Sequence, residues 1–465
     1  MVPAVPEDGM LTFLIFKTMR KTLLTMAAAI ALVSCGTQKK TNITSDAVRE
    51  GQSTTEEKIV AEKAEEGSGV SMISSSEVRR HDYGGHEAFS LELLEKVNVN
   101  PAANVAVSPF SAGMALTMLA QGASGQTWDE ILAALRYDAY SEGPAYGVPG
   151  YLGPGEGLSR EDIPGEISRA KQYAQQCGIS LNSANSVWVS DGISVKDGFK
   201  TVLENDFGAQ FFGRDFSSAK TVEEINAWCS DHTAGKIPSI IDEINPMQKL
   251  LLLNALYFKA PWLHQFKESA TSKDVFHGLG GDTKVDFMHQ TENFGYYEAL
   301  GHQVAILPYR GGTHGMVIVL PSKDTDVNDL ISSLDYKLVR RTLSLVDYRK
   351  RVELSLPKFK METDMLLNGT LREMGVKKVF DSDADFSRMS DAPLAVDEVR
   401  QKCYLAVDEQ GSEAAAVTSV SMRLTAMPNP ADTVVMKVDR PFLFAIISFN
   451  TNEILFEGKI VTINE

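Results

Sequence analysis

The stretch from Asp408 to Pro430 constrains this chain more than any other, because it looks like a strand with no place in the surrounding pattern. It follows the alternating segment Cys403-Tyr404-Leu405-Ala406-Val407-Asp408 directly and ends in prolines before the next strand pair, around Val434 to Val438. A connection of this length with no structure of its own is usually functional. Taken as a latent strand, it places Ser412, Ala414, Ala416, Thr418, Val420 and Met422 on one face, uncharged and small at its start. Glu413, Ala415, Val417, Ser419 and Ser421 take the other face, so the acid stays off the one suited to burial. Gly411 supplies backbone freedom just before that alternation begins. An Ala-rich helical turn is the plain alternative, but it would not demand the Gly-Ser start or the alternating polarity.

Around this stretch both periodicities occur. Apolar residues recur at helical spacing in Phe89 to Val97, Ser111 to Leu119 and Thr221 to His232. Val304 to Tyr309 and Gly315 to Pro321 flank Arg310-Gly311-Gly312-Thr313-His314, a hairpin signature, and Val352 to Pro357 alternates as a strand. Helices grouped before and between strand meanders, without regular βαβ alternation, predict an α+β domain. The Gly- and Pro-rich run between Tyr137 and Ile163 lacks the lysine and preceding strand of a phosphate loop and is expected to be a surface insertion.

The N-terminal part reads as a leader and a tether. Arg20 and Lys21 precede an uncharged stretch, Leu23 to Ser34, too short to span a bilayer but suited to a cleaved secretory leader. It ends in Leu32-Val33-Ser34-Cys35-Gly36, which resembles a bacterial lipobox and makes Cys35 the acylated first residue of the mature protein. Glu7 and Asp8 sit badly in a basic leader, so Met19 is the expected start. Residues 1–34 are then leader and 35–80 a polar tether, Thr- and Glu-rich, unable to bury enough apolar area to order itself. Residues 81–465 form the folded body, with the loop at about 409–432. The expected location is the cell envelope, as an outer-membrane lipoprotein facing the periplasm or the outside and touching the membrane only through its lipid anchor.

Chemistry of the catalytic kind is missing from the sequence. There is no G-x-S-x-G elbow, no H-E-x-x-H and no Walker lysine. His81 and His86 read as part of a solvated segment, and Asp381, Asp383 and Asp385 as turn or capping residues, since the glycine and terminal Glu of a calcium loop are lacking. Of four cysteines, Cys177, Cys229 and Cys403 remain after the anchor, without metal-site spacing, and are expected to be small buried hydrophobes. With 45 Lys plus Arg against 61 Asp plus Glu, the net charge of -16 argues against nucleic-acid binding.

Several segments stand in an order that belongs to one family. They are Asn104-Val105-Ala106-Val107-Ser108-Pro109-Phe110-Ser111, then Ile225-Asn226-Ala227-Trp228 with Thr233-Ala234-Gly235-Lys236-Ile237, then Leu253-Asn254-Ala255-Leu256-Tyr257-Phe258-Lys259-Ala260-Pro261-Trp262. Leu356-Pro357-Lys358-Phe359, Met374 to Phe380, Val438-Asp439-Arg440-Pro441-Phe442 and Phe456-Glu457-Gly458-Lys459-Ile460 follow. From about Tyr83 to Val461 the chain resembles a serpin, and Asp408 to Pro430 resembles the hinge and reactive loop of an inhibitory one.

That resemblance implies three β-sheets, eight or nine helices and an exposed reactive-centre loop. It implies a protease inhibitor and not an enzyme, with no cofactor and no metal, monomeric, whose partner is a target serine or cysteine protease held in a covalent acyl complex. The cut loop inserts into the central sheet as an extra strand and drags the protease with it. The hinge comprises Glu409, Gly411, Ser412, Glu413, Ala414, Ala415, Ala416, Val417 and Thr418. Ser108, Ser111 and Asn254 correspond to a polar shutter holding the central strands closed, joined by Gln401 where the family commonly has a histidine. Trp262, Lys358 and Glu409 correspond to the breach at the top of the sheet, though core packing alone would explain Trp262 and helix capping Ser111. The family's hinge length, counted from Glu409, puts the reactive bond at Thr425-Ala426, with Met422, Arg423 and Leu424 as alternatives. A serpin-fold binding or storage protein that does not inhibit is the runner-up, and a surface receptor displaying the loop as a ligand is a third reading.

Overall fold

The computed structural model describes residues 84–136, 180–412, 433–449 and 453–464, and all of these belong to the compact unit Ile73–Glu465. The leader, the tether with Cys35, His81, the Gly/Pro-rich insertion, Cys177 and residues 413–432 lie outside the described residues.

In chain order, α1 (Gly84–Val97) leads to β1 (Val105–Val107), α2 (Pro109–Gly122) and α3 (Gly125–Ala134). Next come β2 (Ser180–Ser190), α4 (Asp197–Phe207), β3 (Gln210–Arg214), α5 (Ala219–His232) and the long β4 (Leu250–Pro261). Five strands follow: β5 (Ser272–Gly278), β6 (Gly281–Asn293), β7 (Gly295–Ala299), β8 (His302–Pro308) and β9 (His314–Leu320). Short helices α6 (Val327–Ser333) and α7 (Tyr336–Ser344) precede β10 (Arg351–Pro357), β11 (Phe359–Leu366) and α8 (Asn368–Glu373). The chain closes with β12 (Glu398–Val407), β13 (Gly411–Ser412), β14 (Thr433–Lys437), β15 (Phe442–Ser448) and β16 (Ile454–Ile460).

These strands make three sheets. The central one has the order β11-β12-β13-β4-β2-β3, a second β1-β16-β15-β9-β8-β7, and a third, four-stranded one β14-β10-β6-β5. Helix placement follows from local chemistry. Pro109 sits in the first turn of α2 and the Ser108 hydroxyl accepts from the Ser111 N–H, while Asp326 and Asp335 cap α6 and α7 in the same way. α4 ends at Gly208, whose φ of 56° is the left-handed conformation a glycine takes without strain.

α2 is buried along its whole length, because it runs between the central and second sheets in the main core. Strand β4 divides its side chains between two clusters. Leu250, Leu252, Leu256, Phe258 and Ala260 face the main core, whereas Leu251, Leu253, Ala255 and Tyr257 face a smaller cluster built with α5. A strand buried on both faces explains why this segment reads as a continuous apolar run.

Candidate functional site

The central sheet contains a seam. β4 and β12 run parallel and pair from Leu251 with Glu398 to Tyr257 with Tyr404. Beyond that pair the strands part, and β13 occupies the gap: Ser412 pairs with Ala260 on one side and Val407 on the other, and Gly411 pairs with Pro261. The chain therefore leaves β12, turns at Asp408 to Gln410 and re-enters the sheet beside its own strand. One Asp408 carboxylate oxygen accepts the N–H groups of Gln410 (2.9 Å) and Gly411 (3.2 Å), and the Asp408 N–H donates to the Gly411 carbonyl (3.0 Å). A Cβ on Gly411 would lie 2.1 Å from the Ala260 carbonyl oxygen, so only glycine allows this entry.

Around the opening the side chains form a compact polar and aromatic knot. Ser412 is fully buried and its hydroxyl lies 2.5 Å from that of Tyr309. Tyr309 stacks on Trp262 with ring centroids 4.7 Å apart and planes 5° from parallel. Trp262 in turn holds the turn itself: its indole N–H donates to the Asp408 carbonyl (2.9 Å) and its backbone N–H to that of Gln410 (2.9 Å). The buried Glu409 carboxylate accepts from Lys358 Nζ at 2.9 Å and from the Thr271 hydroxyl at 2.7 Å. Burial raises the Glu409 carboxyl, but hydrogen bonds from Lys358 and Thr271 outweigh it and hold the group below its usual range. Burial lifts the neighbouring Asp408 carboxyl above that range.

Lower on the same seam, polar side chains cross-link the strands to α2 and to one another. The Ser108 hydroxyl donates to the Leu455 carbonyl (2.6 Å). Gln401 accepts from the Ser108 N–H (2.8 Å) and donates to the Ser108 carbonyl (3.1 Å). Asn254 donates to the Ser111 hydroxyl and to Asn185 Oδ1 (2.7 Å), while its own Oδ1 is buried without a hydrogen-bond partner. Gln401 and Asn254 are register partners across the seam. The structure thus brings Ser108, Ser111, Asn254 and Gln401 into one cluster, and Trp262, Lys358 and Glu409 into another. Ser108 caps α2 by accepting the Ser111 N–H, and the Ser111 hydroxyl accepts from Asn254.

Three contributors escaped the sequence. Tyr309 follows directly on β8 in a hairpin and carries no sign of its partner. Thr271 lies far from Glu409 in the chain. Asn185 alone left a trace, as an amide two residues before the strand-like Val187-Trp188-Val189. Cys229 and Cys403 are buried, and burial pushes both thiols up to about 12; Cys403 also touches Gln401 (3.4 Å). Asp381 meets Arg372, Asp383 meets Lys378, and Asp385 accepts from the Ser387 N–H. Of the hinge, Glu409, Gly411 and Ser412 are described; Glu413 to Thr418 and Met422 to Ala426 are outside the described residues.

The family profile "Serpin (serine protease inhibitor)" matches residues 85–463. The chain belongs to the serpin family. Iripin-8 of Ixodes ricinus is 34% identical over 382 residues, which cover 80% of this serpin and 90% of that protein. The thermophilic serpin tengpin in its native state superposes with a TM-score of 0.71 at 29% identity, over 84% of this chain and 96% of tengpin. Human thyroxine-binding globulin has the same fold, with a TM-score of 0.69 at 25% identity over 82% of this chain and 98% of its own. The α+β serpin architecture expected from the sequence is therefore the one present, with eight α-helices among the described residues.

Proposed function

We propose that this serpin is a single-use trap for serine endopeptidases, with cysteine endopeptidases as a second target class. The observation that carries the proposal is the seam, where two parallel strands lie side by side with the hinge of the loop seated at one end. Filling it would exchange one parallel ladder for two antiparallel ones, which are the more stable per residue. Extending the β13 register sets Ala415 between Tyr257 and Tyr404, and Thr418 between Asn254 and Gln401. Ala414, Ala416, Thr418 and Val420 would point with Ser412 into the main core, where small uncharged side chains are needed.

The last seam pair, Leu251 with Glu398, meets Ser421 in this register, so a filled seam ends just before Met422 to Ala426. The reactive bond is Thr425-Ala426, with Met422, Arg423 and Leu424 as alternative residues before the cut. The protease nucleophile attacks the carbonyl carbon, the bond to the next nitrogen breaks, and that nitrogen leaves as an amine carrying the transferred proton. Insertion then moves the acyl-bound protease before water can release it. A small residue before the cut suits proteases with narrow primary pockets. Acylated Cys35 would tether the trap to the cell envelope.

A serpin-fold binding protein is the second reading, and thyroxine-binding globulin shows that the fold occurs under another name. It leaves the small, uncharged inward face of the hinge without a purpose. Mixing the protein with elastase and with trypsin decides: a trap gives a complex that survives boiling in detergent, a mere substrate gives two fragments only. Mass analysis of the released C-terminal peptide locates the cut.

A further inference from the structure

The outer face of the seam is covered, and the cover is fastened to both strands that must part. Ile237, Ile240 and Ile241, on the linker of residues 233–249 between α5 and β4, lie in one apolar cluster with Leu251 and Leu253 of β4. Asn226 of α5 sets the linker's path: its Oδ1 accepts the N–H groups of Ile240 (2.8 Å) and Ile241 (3.1 Å), and its Nδ2 donates to the Ile241 carbonyl (2.8 Å). On the other side of the seam, Arg400 of β12 donates through Nη1 to the Ile240 carbonyl at 3.3 Å. Higher up, the Lys236 ammonium lies 5.7 Å from the ring centroid of Tyr404, also on β12.

From this geometry, and resting on the trap function proposed above, we infer that Arg400 is a positioning residue that latches the linker across the seam and sets the rate of strand entry. Its partners divide by the side of the seam they belong to. Asp364, at 3.1 and 3.2 Å from the guanidinium, is on β11, which pairs along its length with β12 and moves with it. Glu398, 3.6 Å from Nε, is on β12 itself. The Ile240 carbonyl alone belongs to the segment anchored on α5 and β4. A strand entering between β4 and β12 separates them by one further strand spacing, about 4.8 Å. The two carboxylate contacts survive that separation. The bond to Ile240 does not, unless the linker lifts off β4. The guanidinium is the right group for the task, because the two N–H groups of Nη1 serve the carboxylate and the carbonyl together.

The test uses Arg400→Met, which keeps the apolar stem and removes the hook, with Asp364→Asn as the control that loses an ion pair but keeps the latch. In the resting full-length protein, the buried Cys229 of α5 reports lifting of the cover through its rate of alkylation by a small thiol reagent, located by peptide mass. Loss of one hydrogen bond from a charged donor predicts a rise of at least roughly tenfold in Arg400→Met, with faster amide exchange at Ile240 and Ile241 and no change in Asp364→Asn. With a reacting protease, the same variant inserts faster by a similar factor and releases less cleaved, untrapped serpin. Equal labelling, exchange and insertion rates in Arg400→Met and the wild type would overturn the inference, as would an equal rise in both variants. The labelling arm needs no protease, so it decides the latch even if no protease is trapped.

Discussion

The Ser412 hydroxyl lies 2.5 Å from the Tyr309 hydroxyl, within a fully buried contact between a hinge residue seated in β13 and a ring stacked on Trp262. This contact fixes which face of the loop turns inward. A charge at position 412 would have to enter the core unpaired, which costs several kcal/mol. On the proposed function, Ser412→Arg is therefore expected to turn inhibition into plain cleavage: cleavage proceeds, while the detergent-stable complex falls by at least roughly tenfold. Full retention of the complex would show that insertion runs in another register.

Glu409 and Lys358 tie the turn at the start of the hinge to the third sheet's side of the opening. The depressed Glu409 carboxyl contributes stability that is present above the ordinary carboxylate pKa and lost as pH falls through its lower folded value. Lys358 is partly exposed, so solvent screens part of this. Glu409→Gln should lower the thermal midpoint by about 2–4 °C at neutral pH, with the difference from wild type vanishing on acidification. A constant difference across the pH range would assign the effect to packing.

Asn254 donates to Ser111 of α2 and to Asn185 of β2, and is the register partner of Gln401 across the seam. Asn254→Ala removes these bonds in a buried setting, at about 1–3 kcal/mol. The expected result is a faster spontaneous passage to a heat-stable, non-inhibitory form on incubation, followed by native gel and residual inhibition. An unchanged lifetime would remove the shutter from the account.

Much of this was legible in the sequence, and the exceptions share a cause. Alternation in Ser412 to Met422 gives the inward face from one residue to the next, and Gly411 and Ser412 enter the sheet in that sense. Burial on both faces of β4 explains its apolar run. What periodicity cannot give is the partner of a polar side chain across strands distant in the chain. Ser108 and Ser111 stand one helical turn apart, and only the packing of α2 on β4 decides which hydroxyl caps the helix and which meets Asn254. Tyr309 and Arg400 are silent for the same reason, since their contacts come from register and from the path of a linker.

Buried titratable groups give the pH profile two opposed slopes. Burial pushes the imidazole of His314, cross-strand neighbour of Ser448 and hydrogen-bonded to Thr313, down from 6.5 to about 4. The unfolded chain then binds the extra proton within that window, so stability falls as pH drops through it, by on the order of 3 kcal/mol. Burial raises the Glu457 carboxyl well above 4.5, so its contribution is full below that value and declines as pH rises through the folded pKa. His314→Leu should flatten the acid limb and Glu457→Gln the alkaline limb in denaturant titrations at stepped pH. Unchanged limbs would place both groups in contact with solvent.

The most direct test is calorimetry of the serpin before and after a single cut between Met422 and Ala426. If the seam between β4 and β12 is a slot held open for the loop, the cut protein fills it and unfolds at a far higher temperature than the intact one. Matching midpoints for the two samples would contradict the account at its centre.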